Sequence, residues 1–212
     1  MAATRTIVEA EIADDLQRND LSTQITKAVD TAIRAYEEER FFFNEADKVS
    51  VTLSSSVCFI AQSALPVRFV KLDRVRLVKS ATFYDELCKR DYAWIMAQQD
   101  IITSGQPYEY CIYSQRLQFE NYADQNYTLI LDGIKSLGNT ASDTYSVASS
   151  VAWFNEAREL IRHRAKREIY MHVLKDANLA AMAKLAEQEA FDTLKGKTNA
   201  RVSTGIIRAS DF

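Results

Sequence analysis

The spacing of apolar residues changes twice along the chain, and this change constrains the fold more than any other feature. In the first 40 or so residues, apolar side chains recur every three or four positions, which is typical of amphipathic helices. From Lys48 they alternate with polar residues, as in strands with one buried face, and the helical spacing returns after residue 148. Helices from the two ends can pack together only if the middle is an insertion. The sequence therefore predicts an α+β fold.

Two helices are predicted near the N-terminus. The first carries Val8, Ile12 and Leu16 on one face. The second begins close to a group of good N-cap residues around position 20 and carries an apolar stripe from Leu21 to Tyr36. Its other face is charged, so we expect the stripe to pack against the core.

Two more helices are predicted in the C-terminal part. One keeps helical register from Val151 to Val173 and ends at Asp176. The next covers about residues 178–194, and Gly196 is expected to end it, because glycine is common just after the last helical residue. The apolar residues expected to face the core from this helix are Leu179, Met182, Leu185, Ala186 and Leu194.

These elements divide the chain into three predicted parts. Residues 1–47 and 148–196 form a helical bundle, and residues 48–147 form an inserted β-rich domain. Inside that domain, apolar spacing over 83–99 predicts one helix. Residues 197–212 lack a helical stripe and are predicted to form an extended C-terminal arm.

No group of residues predicts a catalytic or metal site. His163 and His172 lie on nearly opposite sides of one predicted helix, whereas paired helical ligands need a spacing of about four residues. Cys58, Cys88 and Cys111 form no CxxC pair, which is typical of reduced thiols. The sequence has no glycine-rich phosphate-binding motif and no serine nucleophile motif. We predict a protein that is not an enzyme and uses no cofactor and no metal.

Charge and hydropathy argue against two further classes. The formal net charge is -3, which does not suit a basic nucleic-acid binder. No apolar run approaches the ~18 residues of a membrane span. The N-terminal residues turn acidic and contain no apolar signal core. We expect a protein that is made and kept inside a cell, without a membrane partner.

The predicted helix over 158–167 is basic on its polar side, through Arg158, Arg162, Arg164, Lys166 and Arg167. One hypothesis is that these side chains bind phosphates, which would make the protein a cytosolic DNA-binding or regulatory module. The other is that they pair with acidic side chains, within the chain or between subunits. Residues 1–47 carry five Lys or Arg against eleven Asp or Glu, which favours pairing.

Phe41, Phe42 and Phe43 follow the second helix directly. Three consecutive side chains cannot all face one direction in a helix or a strand. At least one is therefore expected to leave the local core. It could enter a second apolar layer inside the chain, or contact a neighbouring subunit, since an exposed phenylalanine cluster favours aggregation. Both interpretations stay open.

The same region resembles the N-terminal signature IxxAIxxYxxxRFxFNE of head-to-tail adaptor proteins of tailed bacteriophages, also called head-completion or connector proteins. The matching residues are Ile25, Ala28, Ala32, Ile33, Tyr36, Arg40, Phe41, Phe43, Asn44 and Glu45. Later segments follow the template in order: Leu65-Pro66 before alternating strands, GQPYEY over 105–110, and a helix containing Trp153 and Ala157. One departure is the absence of proline between residues 116 and 127.

The resemblance implies a structural virion protein. Such proteins form a ring, commonly of about twelve copies, beneath the portal, and they extend the DNA channel toward the tail or nozzle. It implies four partners: the portal, the tail or nozzle protein, other copies of the chain, and DNA that passes without specific binding. The protein would be made in the host cytoplasm and lie at the head–tail interface of the virion.

The resemblance also implies that the C-terminal arm grips the portal. The residues expected to make this contact are Arg201, Ile206, Ile207, Arg208 and Phe212. Phe41, Phe42 and Phe43 are candidates for a contact between subunits. An acidic net charge suits a channel through which DNA must slide.

Overall fold

The chain divides into two compact units. The structure is a computed structural model that describes residues 4–101, 104–137 and 151–203. We call Met1–Asn44 together with Leu137–Phe212 the helical unit, and Glu45–Ser136 the β unit. The predicted α+β class is confirmed, because helices at both ends flank a β-rich middle. The middle unit is shorter than the predicted insertion, since its strands begin at Glu45 and end at Lys135.

The helical unit starts with α1 (Arg5–Leu16) and α2 (Ser22–Tyr36). α1 ends at Gln17, whose backbone is left-handed with φ of 52° and whose N–H donates to the carbonyl of Asp14. Both helices bury the predicted stripes, because these are the faces that a 3.6-residue period aligns. The buried residues of the two stripes are Val8, Ile12, Ile25, Ala28, Val29, Ala32 and Ile33.

The C-terminal part of the helical unit forms α4 (Val151–Glu156), α5 (Arg158–Ile169) and α6 (Ala177–Ser203). A π-helical turn, Tyr170–Leu174, follows α5. The prediction that Gly196 ends the last helix and that an extended arm starts at residue 197 is wrong, because α6 continues to Ser203. Thr198 is buried one turn after the buried Leu194 and donates to its carbonyl at 3.0 Å. This packing outweighs the ~1 kcal/mol that glycine costs a helix.

The predicted inward face of α6 is correct for Leu194 and wrong for the first half of the helix. Leu179, Met182 and Leu185 are exposed, and the buried side of the helix is formed by Ala180, Ala183, Glu187, Leu194 and Thr198. Alanines allow α6 to approach α5 closely, so the small residues take the interface. Val173 is exposed as well, because the π-helical turn shifts the register after Ile169.

The β unit contains two four-stranded sheets and a two-stranded ladder. The first sheet has the order β1–β10–β3–β4 and is antiparallel; the second has the order β2–β8–β7–β5; β6 and β9 form a parallel pair. The bounds of the strands are Glu45–Leu53 (β1), Phe59–Ala61 (β2), Phe69–Val78 (β3), Tyr84–Glu86 (β4), Cys88–Lys89 (β5), Ser104–Gly105 (β6), Glu109–Tyr113 (β7), Arg116–Phe119 (β8), Tyr122–Ala123 (β9) and Tyr127–Lys135 (β10). A short 3-10 helix, Gln62–Ala64, follows β2.

The helix predicted over 83–99 is only half present. Its second half is α3 (Tyr92–Gln99), which begins after the extended N-cap residue Asp91. The first half forms β4, which pairs with β3, and β5, which pairs with β7. The edges of β3 and β7 offer backbone hydrogen bonds that draw these residues into strands. The spacing of apolar residues along the chain does not take such bonds into account.

Gly133 lies near the end of β10, between β1 and β3. The ladder between β10 and β3 is irregular at this point, and a side chain on Gly133 would collide with the carbonyl of Lys71. A residue without a Cβ is therefore required here, because two backbones approach each other closely.

Candidate assembly surfaces

The phenylalanine run closes the core of the helical unit. The buried Asn44 side chain folds the chain after α2, accepting from the N–H of Phe41 at 2.8 Å and donating to the carbonyl of Glu39 at 2.8 Å. Phe41 is fully buried, with its ring 5.9 Å from that of Trp153. Phe43 stacks on Phe41 and lies 5.1 Å from Trp153. Phe41 is therefore an internal residue and not a subunit contact.

All three phenylalanine rings pack in the helical unit. This is possible because the backbone of residues 41–43 is neither helix nor strand, so the side chains are not forced into regularly spaced directions. Phe42 turns toward the end of α6, where its N–H donates to the Thr198 hydroxyl at 3.4 Å. The Arg201 guanidinium lies over the Phe42 ring at 3.7 Å. Phe42 and Phe43 are half-buried against the helical core, so a contact with a neighbouring subunit stays a prediction for these two.

The expected portal arm is only partly described. Arg201 lies in the last turn of α6 and stacks on Phe42, so it belongs to a helix and not to an extended segment. Ile206, Ile207, Arg208 and Phe212 lie outside the described residues. Their role in binding a portal stays a prediction.

The basic helix pairs with the acidic N-terminal helix, as the charge count favours. Arg158 binds Glu11, and Arg162 makes two hydrogen bonds to Asp15 at 2.8 and 2.7 Å. Lys166 reaches the same Asp15 at 3.0 Å. The hydrogen bonds from Arg162, together with the charge of Lys166, lower the pKa of Asp15.

The remaining two cations converge on a buried carboxylate. Arg164 and Arg167 lie 3.3 and 2.8 Å from Glu187 of α6, which also accepts a hydrogen bond from the Tyr36 hydroxyl. Burial alone would raise the pKa of Glu187, but the bonds from Tyr36 and Arg167 lower it. Burial and the same carboxylate raise the pKa of Tyr36. All five basic residues of 158–167 thus have carboxylate partners within the chain.

α6 and the π-helical turn before it expose apolar side chains, which we together call the α6 apolar face and define as Met171, Val173, Leu179, Met182 and Leu185. Met182 is 66% exposed and Leu185 is 73% exposed. In Ala177–Ala186 only Asn178 and Lys184 are polar. A helical segment that is apolar all round is normally covered on every side, whereas the described part of the chain covers Ala177–Ala186 on one side. Helical periodicity predicts Leu179, Met182 and Leu185 as core residues, so this surface was not predictable from the sequence pattern.

The β unit has an exposed aromatic group of its own. Tyr92 of α3 stacks on Tyr113 of β7 with ring centroids 3.8 Å apart. Arg116 of β8 lies 4.6 Å from the ring of Phe59. Half of the side chain of Tyr113 is exposed, and tyrosine and arginine are residue types that protein interfaces favour.

Within the described residues, no cluster of three or more His, Cys, Asp or Glu has metal-binding geometry. Cys58 and Cys111 are buried and Cys88 is exposed, and all three are free thiols. His163 lies 3.6 Å and His172 3.3 Å from neighbouring glutamates on α5. Among the same residues, every helix is too short or too polar to cross a bilayer.

Comparisons with known proteins do not assign a family. A scan against protein-family models gave no match, and a search of characterised proteins found none with significant similarity.

Proposed function

We propose that this chain is a structural virion protein that forms a ring adaptor between the portal and the tail or nozzle of a tailed bacteriophage and extends the DNA channel. The order of elements supports the proposal, because a helix pair, a β unit and further helices are what the resemblance implies. The observation that carries it is the α6 apolar face. A protein that works as many copies needs apolar surface on the outside of each copy.

In this proposal the copies contact one another through the α6 apolar face, and the C-terminal segment binds the portal. DNA passes through the ring without specific binding. The pairing of the basic side chains of 158–167 with carboxylates supports this, since neutralised cations release few counterions from DNA. The protein would be made in the host cytoplasm and located at the head–tail interface of the virion.

The test is to place two carboxylates on the α6 apolar face, as Met182→Glu with Leu185→Glu. Both side chains are mostly exposed, so the isolated chain should keep its circular dichroism and unfolding midpoint. In a ring of the wild-type protein, each of these side chains that a neighbour covers stabilises the interface by about 1–2 kcal/mol. In the double variant, every interface of the ring loses this contribution. Electron microscopy of assembled particles should show a ring of about twelve copies for the wild type and none for the variant.

The matched control is Thr193→Glu with Asn199→Glu, which adds two carboxylates to exposed residues of the same helix outside this face. It should leave the ring intact. An intact ring in the double variant would remove the α6 apolar face from the proposal. A chain present as single copies in intact virions would overturn the proposed function itself.

The portal contact is tested separately by deleting residues 204–212. α6 and the contact of Arg201 with Phe42 lie before the deletion, so the fold should be unchanged by circular dichroism. Attachment to portal-containing particles should be lost. Unchanged attachment would show that this segment is not the arm.

A further inference from the structure

Three aromatic rings and one arginine lie side by side on the outer face of the second sheet of the β unit. Arg116 of β8 alternates with the buried Leu117 and is the register partner of Tyr113 on β7. Tyr113 stacks on Tyr92 of α3, and the Arg116 guanidinium lies 4.6 Å from the ring of Phe59 on β2. We call Phe59, Tyr92, Tyr113 and Arg116 the Arg116 surface. Its three rings are 37–50% exposed, so the surface is open to a partner.

The charge of Arg116 has no counterpart in the described part of the chain. Arg74 and Arg76 of the first sheet both bind Asp132, at 3.2 and 2.7 Å. Arg116 contacts the ring of Phe59 and no carboxylate among the residues that the structure describes. Since a guanidinium binds a carboxylate through two parallel hydrogen bonds, Arg116 is available for an acidic group of another molecule.

β2 forms the edge of the second sheet beside this surface. The N–H of Phe119 on β8 donates to the carbonyl of Cys58 at 2.8 Å, so the backbone of Cys58 faces β8. Backbone groups alternate in direction along a strand, and the N–H and C=O groups of Phe59 and Ala61 therefore point away from β8. An edge of this kind can bind a short extended segment through main-chain hydrogen bonds.

An extended segment beside β2 brings its side chains to the Arg116 surface. Neighbouring strands lie about 4.8 Å apart, so the segment would lie about 10 Å from β8. The Arg116 side chain covers part of this distance, because its guanidinium already lies over Phe59. Every second side chain of the segment lies on the same face as Arg116, and a glutamate or aspartate at such a position can reach the guanidinium.

The charge of the surface favours a peptide over a nucleic acid. Sites for single-stranded nucleic acid combine aromatic rings with several cations that follow the phosphates. Arg90, which lies 5.7 Å from the ring of Trp94 on α3, is already bound to Glu109 at 2.8 Å. Arg116 is the cation of this surface that lacks an acidic partner within the described residues, and it matches one carboxylate better than a run of phosphates.

We infer that the Arg116 surface and the free edge of β2 bind an extended acidic segment of a partner protein. Main-chain hydrogen bonds to Phe59 and Ala61 hold the segment, and Arg116 selects a carboxylate at one of its alternate positions. The inference concerns one copy of the chain, so it stands independently of the ring and of the portal contact.

Fluorescence anisotropy of a labelled peptide with the full chain tests the inference. The acidic probe is Thr-Val-Glu-Val-Glu-Thr, and the matched probe has glutamine in place of both glutamates. We expect saturable binding of the acidic probe and about fivefold weaker binding of the glutamine probe, because the glutamine probe lacks the charge that Arg116 binds. Labelled oligothymidine should bind more weakly than the acidic probe. Equal affinity for the two peptides, no saturable binding, or tighter binding of oligothymidine would each overturn the inference.

Two substitutions separate the roles of the side chain and of the backbone. Arg116→Gln should weaken binding of the acidic probe about fivefold and leave the glutamine probe unchanged. Lys71→Gln, an equal loss of charge from an exposed residue of the first sheet, should change neither. Ala61→Pro removes an N–H from the free edge at a position whose φ of -69° suits proline, so it should weaken both probes. Ala61→Ser keeps the N–H and is the matched control.

Each variant should keep the circular dichroism of the wild type, because the altered groups face away from the core. Unchanged binding of the acidic probe to Arg116→Gln or to Ala61→Pro would contradict the inferred geometry. Wild-type dimers in sedimentation that Arg116→Gln dissociates would assign the surface to a second copy of the chain, and the inference of a separate partner would then be wrong.

Discussion

Substitutions in the phenylalanine run test which side chains stabilise the helical unit, because Phe41 and Phe42 differ in burial. Phe41 is fully buried against Trp153, whereas Phe42 is half-buried and has its face on Arg201. Phe41→Ala removes a buried ring and leaves a cavity, which costs about 3–5 kcal/mol. Phe42→Ala removes a ring that already contacts water. It should cost about 1–2 kcal/mol, including the lost cation–π contact.

Equilibrium unfolding in urea, followed by tryptophan fluorescence, measures this difference. Of the two tryptophans, Trp153 lies in the helical unit and Trp94 in the β unit. A Trp94→Phe background therefore leaves a reporter of the helical unit alone. With an m-value of about 2–3 kcal/mol/M, Phe41→Ala should lower the midpoint by about 1.5 M and Phe42→Ala by about 0.5 M.

Two results would refute the reasoning. Equal shifts for the two variants would show that Phe42 is buried as deeply as Phe41, for example under a neighbouring subunit. A negligible shift for Phe41→Ala would show that its ring does not close the helical core.

Three further predictions concern separate parts of the molecule. Gly133→Ala should destabilise the β unit by about 1–3 kcal/mol in urea unfolding, while Gly196→Ala, with open space around it, should stabilise the helical unit by up to about 1 kcal/mol. Because the folded-state pKa of Asp15 is lowered, its bond to Arg162 stabilises the fold above the unfolded pKa of 3.8, and this contribution is lost as pH falls through the folded value. Asp15→Asn should thus destabilise the chain at pH 7, and its effect in parallel unfolding curves should shrink progressively as pH falls below 3.8. Titration of duplex DNA should show only weak binding through residues 158–167; tight binding with a steep salt dependence would favour the DNA-binding alternative.

The fold class was predictable from the sequence because two periods of apolar residues are separated along the chain. The stripe of α2 was predictable for the same reason, since large apolar residues occupy one face only. In α6 this rule fails: alanines form the inner face, and Leu185 and Met182 point to solvent. Periodicity ranks residues by hydropathy, whereas close helix packing selects them by size.

The surfaces were harder to predict than the elements. Opposite charge favoured pairing of the basic helix with acidic side chains of the N-terminal residues, but it did not identify pairs such as Arg162 with Asp15. The burial of Phe41 was one of two open interpretations, and Asn44 decides it by turning the chain back under Trp153. The strand Tyr84–Glu86 pairs with β3 just before it, and Cys88–Lys89 pairs with β7, about twenty residues later. The spacing of apolar residues does not reveal either pairing.

The insertion of the β unit has a consequence for synthesis on the ribosome. α1 and α2 emerge first, but Trp153 and the other residues that cover their apolar stripes follow only after the whole of 45–136. The β unit is a continuous segment and can fold as soon as it is complete, while the first two helices wait. During that interval the nascent chain exposes Phe41 and its neighbours, so slow translation before residue 151 should raise its dependence on chaperones.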